Sequence, residues 1–157
     1  MIPDIIIDVA DLADDSEQLD NLAQDDLADP SYGASLSFDW RNMRLRVDLS
    51  GNPLVVTGQE SLVEDLVKAI LTERYRYSLY SDDYGAEFWE LIGAERDLAE
   101  TDVVRILQEV CTLDPRVRAV ESITVTPGAN AALFVKFSIR DFTDTIVHVP
   151  EFTVRYG

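Results

Sequence analysis

Three groups of residues in this 157-residue chain have types and spacings suited to chemistry. The first is acidic. Glu87 and Glu90 stand three apart, with Asp82 and Asp83 just before them. Two carboxylates roughly 5–9 Å apart are the equipment of a glycosidase, one donating a proton while the other attacks or activates water. A chain with 30 acids also generates such pairs by chance, and spacing along the chain does not place them in a cleft. The other two groups are Thr72-Glu73-Arg74-Tyr75 and Asp114-Pro115-Arg116. Each sets an acid beside an arginine, whose rigid fork of donors fits carboxylates or carbonyls. Two readings fit: ordinary helix capping, or a partly buried polar cluster that fixes how two helices meet a sheet. In the second, the value lies in geometry, because a buried ion pair often barely offsets its own desolvation.

Between these two groups lies Leu71 to Gly85, LTERYRYSLYSDDYG. It holds four of the six tyrosines (Tyr75, Tyr77, Tyr80 and Tyr84) and ends at Gly85. It matches no catalytic or ligand-binding pattern and reads as a structural signature. The single Cys111 excludes an internal disulfide and a cysteine-based zinc site. It falls on the apolar face of an expected helix, as a small core residue does, and its solitude suits a reducing compartment. His148 stands between valines, with no second histidine for a metal site or a triad. No phosphate-cradling glycine loop and no metal-ligand spacing occurs, so neither a metal nor a cofactor is expected.

The net charge of −17 is unevenly placed. Residues 1–40 carry eleven acids and no lysine or arginine, which leaves nineteen acids against thirteen bases in the rest. The body is mildly acidic and the excess sits in an N-terminal arm, taken as residues 1–35. Such a balance argues against nucleic acid and anionic membranes, which need a basic footprint. A solvated arm that aids solubility is the plain reading. Docking on a basic surface, or mimicry of nucleic acid, are the sharper ones. No segment approaches the ~20 apolar residues that span a bilayer. The start lacks the basic region of a secretory signal, so synthesis in a cytoplasm is expected.

These residues must be positioned by a small set of elements. In the arm, Ile5, Ile6 and Ile7 form a sticky segment, and Leu19, Leu22 and Leu27 fall at helical spacing. The arm has too few apolar residues to fold alone. Residues 36–57 read as a hairpin or two short strands, with Leu36, Phe38 and Trp40 on one face. A helix is expected over about 58–72, opened by a Thr57/Glu60 capping box and striped by Leu62, Val63, Leu66, Val67, Ile70 and Leu71. Arg74 and Arg76 lie at or just past its C-terminal end, where the helix dipole favours cations. The tyrosine stretch then reads as a strand, with Tyr75, Tyr77 and Leu79 on one face. Phe88, Trp89, Leu91 and Ile92 make an apolar knot. A second helix covers about 98–113 and stops at Asp114-Pro115. Strands follow over 117–126, 133–140 and about 145–156, the last marked by Pro150 as an edge strand. The expected fold is α+β, two helices against a largely antiparallel sheet over residues 36–157.

Taken together, ILTERYRYSLYSDDYG (70–85), the later Gly93 and LDPRVRAVESITV (113–125) resemble the baseplate-wedge or sheath-initiator proteins of contractile phage tails and related injection machines, in their tyrosine-rich branch. The likeness covers about residues 36–140. It departs from the family at Asp114, where many members carry glutamate, and in the acidic arm. The resemblance implies a small α+β fold similar to the C-terminal domain of sheath subunits. It implies a structural role without catalysis, in a tail baseplate of the virion, where the protein templates the first sheath ring. The implied mechanism is β-augmentation, with main-chain hydrogen bonds joining strands of neighbouring subunits. Tail sheath protein and other baseplate wedge or hub proteins are the implied partners. On this reading Glu73, Arg74, Asp114, Pro115 and Arg116 form the structural cluster. Tyr75, Tyr77, Tyr80, Tyr84, Gly85 and Trp89 form the packing signature around it. Ile5, Ile6, Ile7, Leu19, Leu22, Leu27, Val147, Val149 and Phe152 are the candidates for partner binding, with 145–156 as an exchangeable arm. Two rivals are a peptidoglycan glycosidase using Glu87 or Glu90, and an acidic decoy for a nucleic-acid-binding protein.

Overall fold

A computed structural model describes residues 31–157, Arg41 excepted. The expectations for Ile5, Ile6, Ile7, Leu19, Leu22 and Leu27 lie outside the described residues. Four short strands come first: β1 (Ala34–Leu36), β2 (Phe38–Asp39), β3 (Arg44–Leu45) and β4 (Val55–Thr57). Then follow α1 (Gln59–Leu71), a 3₁₀ turn (Phe88–Leu91) and α2 (Arg96–Thr112). Three long strands complete the order: β5 (Val117–Pro127), β6 (Ala132–Asp141) and β7 (Ile146–Arg155). They form an antiparallel sheet in the order β5-β6-β7. The class is α+β, as expected.

The central strand forms because its alternation is clean. Leu133, Val135, Phe137 and Ile139 of β6 all bury against the helices, and none exceeds 3% exposure. The helices answer with stripes at three and four: Leu62, Leu66 and Ile70 from α1, and Val103, Leu107, Val110 and Cys111 from α2, with Ile106. Each such side chain contributes about 1.5–3 kcal/mol by leaving water. β6 is central and lies between two edges. Pro150 falls on an edge strand, as its lack of an N–H demands. Val147 and Val149 turn into this core, and Phe152 packs partly against it beside Phe88 and Phe137. The side chains of these three expected partner-binding residues are thus taken up by internal packing.

Three local expectations are corrected. No strand forms over the tyrosines. The chain runs through consecutive turns, with backbone bonds from Arg76 to Glu73, Tyr80 to Tyr77 and Tyr84 to Ser81. Tyr75 has φ 65°, which is incompatible with extended chain. Tyr75, Tyr77 and Leu79 are all exposed, so no apolar face existed to hold a strand on the core. The Thr57/Glu60 capping box is also absent. Gly58, with φ 66°, turns β4 into α1 without a side-chain cap. The single Ser61 O–H is instead shared between the Gly58 and Tyr32 carbonyls, each 2.8 Å from Oγ. Finally, of the face expected from Leu36, Phe38 and Trp40, Leu36 turns outward while Phe38 and Trp40 stay half-buried, and Ser37 is the buried residue of that stretch. Glu64 of α1 is the cause. It is buried and accepts from Trp40 Nε1 at 2.7 Å, Phe38 N at 3.2 Å and Ser37 Oγ at 3.5 Å.

Candidate functional site

The two acid–arginine groups sit where they were expected, at the exits of α1 and α2, but they form two networks. Arg116 begins the path into β5. Its Nε and Nη2 grip Asp114 at 2.9 and 2.7 Å, and Asp114 also accepts the Arg116 backbone N–H at 2.9 Å. Pro115 lets this happen: it ends the helix and leaves Asp114 free to fold back on the chain two residues on. Nη1 of Arg116 then donates to Asp65 of α1 at 3.1 Å and to the Tyr32 carbonyl at 2.9 Å. One guanidinium therefore joins α1, the end of α2, the start of β5 and the chain entering β1. Hydrogen bonding to Asp114 raises the Arg116 pKa, against the opposing pull of burial.

Arg74 serves the other junction. Its side chain is buried, with Nε donating to the Gly85 carbonyl at 3.2 Å and Nη1 to Glu109 of α2 at 2.6 Å. Glu87 lies 3.8 Å away. Burial pulls the Arg74 pKa down, and Glu109 and Glu87 more than reverse it. The backbone closes the same loop, from Arg74 N to the Ala86 carbonyl and from Ala86 N to the Thr72 carbonyl. Gly85 makes the closure feasible. Its φ is +104°, and a Cβ there would lie 2.7 Å from the Thr72 oxygen. The whole tyrosine stretch is thus a loop pinned at its base. Glu73 takes no part with Arg74; it pairs with Arg76 on the surface.

A cleft of about 460 Å³ brings the end of the tyrosine stretch beside the Asp114-Pro115-Arg116 group, lined by Asp65, Tyr84, Gly85, Asp114, Pro115 and Arg116 among others. Tyr80 stacks on Tyr84 with centroids 4.4 Å apart, and Tyr77 meets Tyr80 edge-on. The Tyr84 hydroxyl is enclosed, and no described group makes a well-formed hydrogen bond to it. Burial first, then the neighbouring Tyr80, push its pKa up to about 12. Trp89 lies apart from this cleft. It is half-exposed on the 3₁₀ turn and borders a smaller cavity with Phe88, Ile92 and Phe152.

Sequence reasoning missed a third cluster. Asp141, at the end of β6, is fully buried. It accepts from Tyr32 Oη at 2.6 Å, Gln59 Nε2 at 3.1 Å, Thr143 N and Oγ1 at 2.9 and 2.7 Å, and Thr145 N at 2.9 Å. Burial favours the neutral acid, but these donors outweigh it and hold the pKa at about 2. Asp141 followed by Thr143 and Thr145 was the available signal, an acid that caps its own turn. Its long-range partner Tyr32 carried none. Both Tyr32 and Ser35, which donates to Asp65 at 2.8 Å, are bonded to the body, and Ser31–Gly157 form one unit.

The carboxylates of the glycosidase reading are separated in role. Glu87 is drawn to Arg74, and Glu90 is exposed on the 3₁₀ turn. Cys111 is buried, and burial with Asp114 nearby pushes its thiol up to about 12. Among the described residues no group of three or more metal-ligating side chains occurs, and no helix is long and apolar enough to cross a membrane.

Comparison with known proteins follows this geometry. A family model described as the contractile injection system sheath initiator matches residues 34–142. The match spans both junctions and reaches Asp141, with its partners Tyr32, Thr143 and Thr145 outside the matched residues. A solved structure described as a "putative tail lysozyme" from Geobacter sulfurreducens superposes with a TM-score of 0.56 at 17% identity. It covers 66% of this chain and 96% of that one, a likeness of fold. The comparison with curated proteins finds no match.

Proposed function

The chain belongs to the contractile injection system sheath initiator family, and on that premise we propose that it starts sheath assembly on a tail baseplate by strand exchange with sheath subunits. Its family makes it a structural component of a contractile tail that works among sheath and baseplate parts. The finer reading is that it sits at the top of the baseplate in the virion, after synthesis in the host cytoplasm, and presents its sheet to the first sheath ring. Neighbouring wedge or hub proteins would hold it from the other side. The observation that carries this reading is an antiparallel sheet of three long strands, with no further described strand beside β5 or β7, held on a frame of buried and half-buried arginine clusters. An edge offers main-chain donors and acceptors in a fixed row, and the clusters keep that row rigid.

The role needs no turnover, and we read the protein as non-enzymatic. Glu87 is committed to Arg74, and the tail-lysozyme likeness is one of fold at 17% identity. Hydrolysis of purified peptidoglycan by the full chain, abolished in Glu90→Gln, would overturn this.

The proposal is tested by assembling tails without this chain. Baseplates and tubes are expected to form and sheath to fail to start on them, with restoration by the purified protein. Sheathed tails of normal length in its absence would refute the initiator role.

A further inference from the structure

We propose that the outer edge of β5, which no described strand pairs, and not that of β7, accepts the neighbour's strand, and that the incoming segment alternates apolar residues with lysine or arginine. This rests on the strand-exchange reading above and names the edge and the partner chemistry it requires.

The hydrogen-bond phase of the sheet decides which groups are free. Gly128 N–H donates to the Ala132 carbonyl, and antiparallel pairs alternate between bonded and non-bonded. With Thr126 opposite Phe134, Thr124 opposite Lys136 and Ser122 opposite Ser138, these three threonine and serine residues bond to β6. Ile123 and Val125 therefore turn their N–H and C=O outward. On β7 the bonds from Tyr156 N to Ala131 O and from Asp141 N to Thr145 O set the phase in the same way. There the outward positions are Ile146, His148, Pro150, Thr153 and Arg155.

The two edges differ in protection. Natural edges are blunted by proline, charge and bulges. β7 has Pro150 without an N–H at mid-edge, a register slip beside it, and Glu151 and Arg155 among its edge residues. From Ser122 to Thr126, β5 reads Ser-Ile-Thr-Val-Thr, uncharged and regular, with its own register shifts confined to residues before Ser122. Such a stretch invites pairing.

A groove of about 450 Å³ runs beside this edge, lined by Asp97, Glu100, Thr101 and Val104 of α2 and by Ile123 and Val125. Val104, Ile123 and Val125 are only half-buried. A strand placed ~4.8 Å beyond β5 would lay one row of side chains over them. Asp97 and Glu100 form the rim, and among the described residues no lysine or arginine lines the groove. Arg96, next to Asp97, directs its Nε to the Tyr156 hydroxyl at 3.4 Å. The groove therefore favours cations on an incoming strand.

The test uses the full chain with two synthetic eleven-residue peptides, one alternating valine with lysine and one alternating valine with glutamate. Binding is read by fluorescence anisotropy, and amide hydrogen exchange is followed in the chain alone, with peptide, and in assembled tails. The lysine peptide is expected to bind and to slow exchange at Ile123 and Val125 at least tenfold, as is assembly. Val125→Pro removes an outward N–H and no bond to β6, so it is expected to weaken binding at least tenfold. Thr153→Pro, the matching change on β7, is expected to leave it intact. The double change Asp97→Lys, Glu100→Lys is expected to shift preference to the glutamate peptide. Should Val125→Pro fail to fold, the exchange pattern of the unaltered chain decides alone. Protection at Ile146, His148, Thr153 and Arg155 in tails would refute the β5 assignment and leave strand exchange standing. Protection at neither edge in tails would refute strand exchange itself, and equal binding of both peptides would refute the basic partner.

Discussion

Replacing Arg116 with methionine tests the frame directly, because Met keeps much of the stem's volume and removes the fork. The change deletes both bonds to Asp114, one to Asp65 and one to the Tyr32 carbonyl. It leaves two carboxylates facing each other without their shared cation. Breaking a fully buried pair costs about 3–5 kcal/mol. The Asp65 and Asp114 side chains keep 27% and 17% exposure, so water compensates in part and about 3 kcal/mol is the expected loss. Unfolding entropy of about 2.1 cal/mol/K per residue gives ~0.27 kcal/mol/K for the unit Ser31–Gly157. The melting temperature should then fall by roughly 11 °C, read by calorimetry and by a urea midpoint with unchanged slope. Arg116→Lys keeps the charge without the bidentate geometry and should recover less than half of the loss. A double-mutant cycle with Asp65→Asn should show coupling above about 1 kcal/mol. A change within about 0.5 kcal/mol for Arg116→Met, the range of an ordinary surface substitution, would refute the claim that this cluster ties the helices to the sheet.

Gly85→Ala should cost about 2–4 kcal/mol in a denaturant titration, since φ is +104° and the new Cβ meets the backbone oxygen of Thr72, which is itself hydrogen bonded. Asp141 has its pKa lowered to about 2. Its contribution is therefore present above the unfolded value near 4 and is lost as pH falls toward 2; Asp141→Asn should flatten the acid limb of a stability–pH curve by about 1–2 kcal/mol. The Cys111 thiol, buried and pushed up to about 12, should resist Ellman's reagent at pH 8 in the folded chain and react at once in denaturant. Tyr84→Phe removes a hydroxyl enclosed without a well-formed hydrogen bond, so it should leave stability unchanged or raise it by up to about 1 kcal/mol in the same titration.

The legible parts of this fold were those written in local pattern. Both helices follow from three-and-four spacing, β6 from strict alternation, and β5 and β7 from alternation over part of their length, because each buries one face and a face must be apolar where it is buried. Pro150 and Pro115 were readable for a simpler reason: a missing N–H excludes a central strand and a helix interior wherever it occurs. The arginine motifs were readable as helix exits that set an acid beside an arginine. Their partners were not. Asp65 and Glu109 are ordinary helix-surface acids in the sequence, and only the packing of α1 against α2 and β5 brings them to Arg116 and Arg74. The tyrosine stretch misled for the same cause. Alternating aromatic residues look like a strand, yet the loop is fixed by the closure at Gly85 and the buried Arg74, contacts that alternation does not encode.

The sequence by itself therefore determined the class, the order of the two helices and three long strands, and the family likeness, since these rest on short-range spacing and backbone chemistry. Tertiary structure alone decided which helix-surface acid neutralises which arginine, and that Tyr32 and Asp141 lock the chain entering β1 to the end of β6. Those outcomes depend on charges and backbone groups separated by up to 109 positions along the chain, where desolvation and hydrogen-bond geometry select the partner.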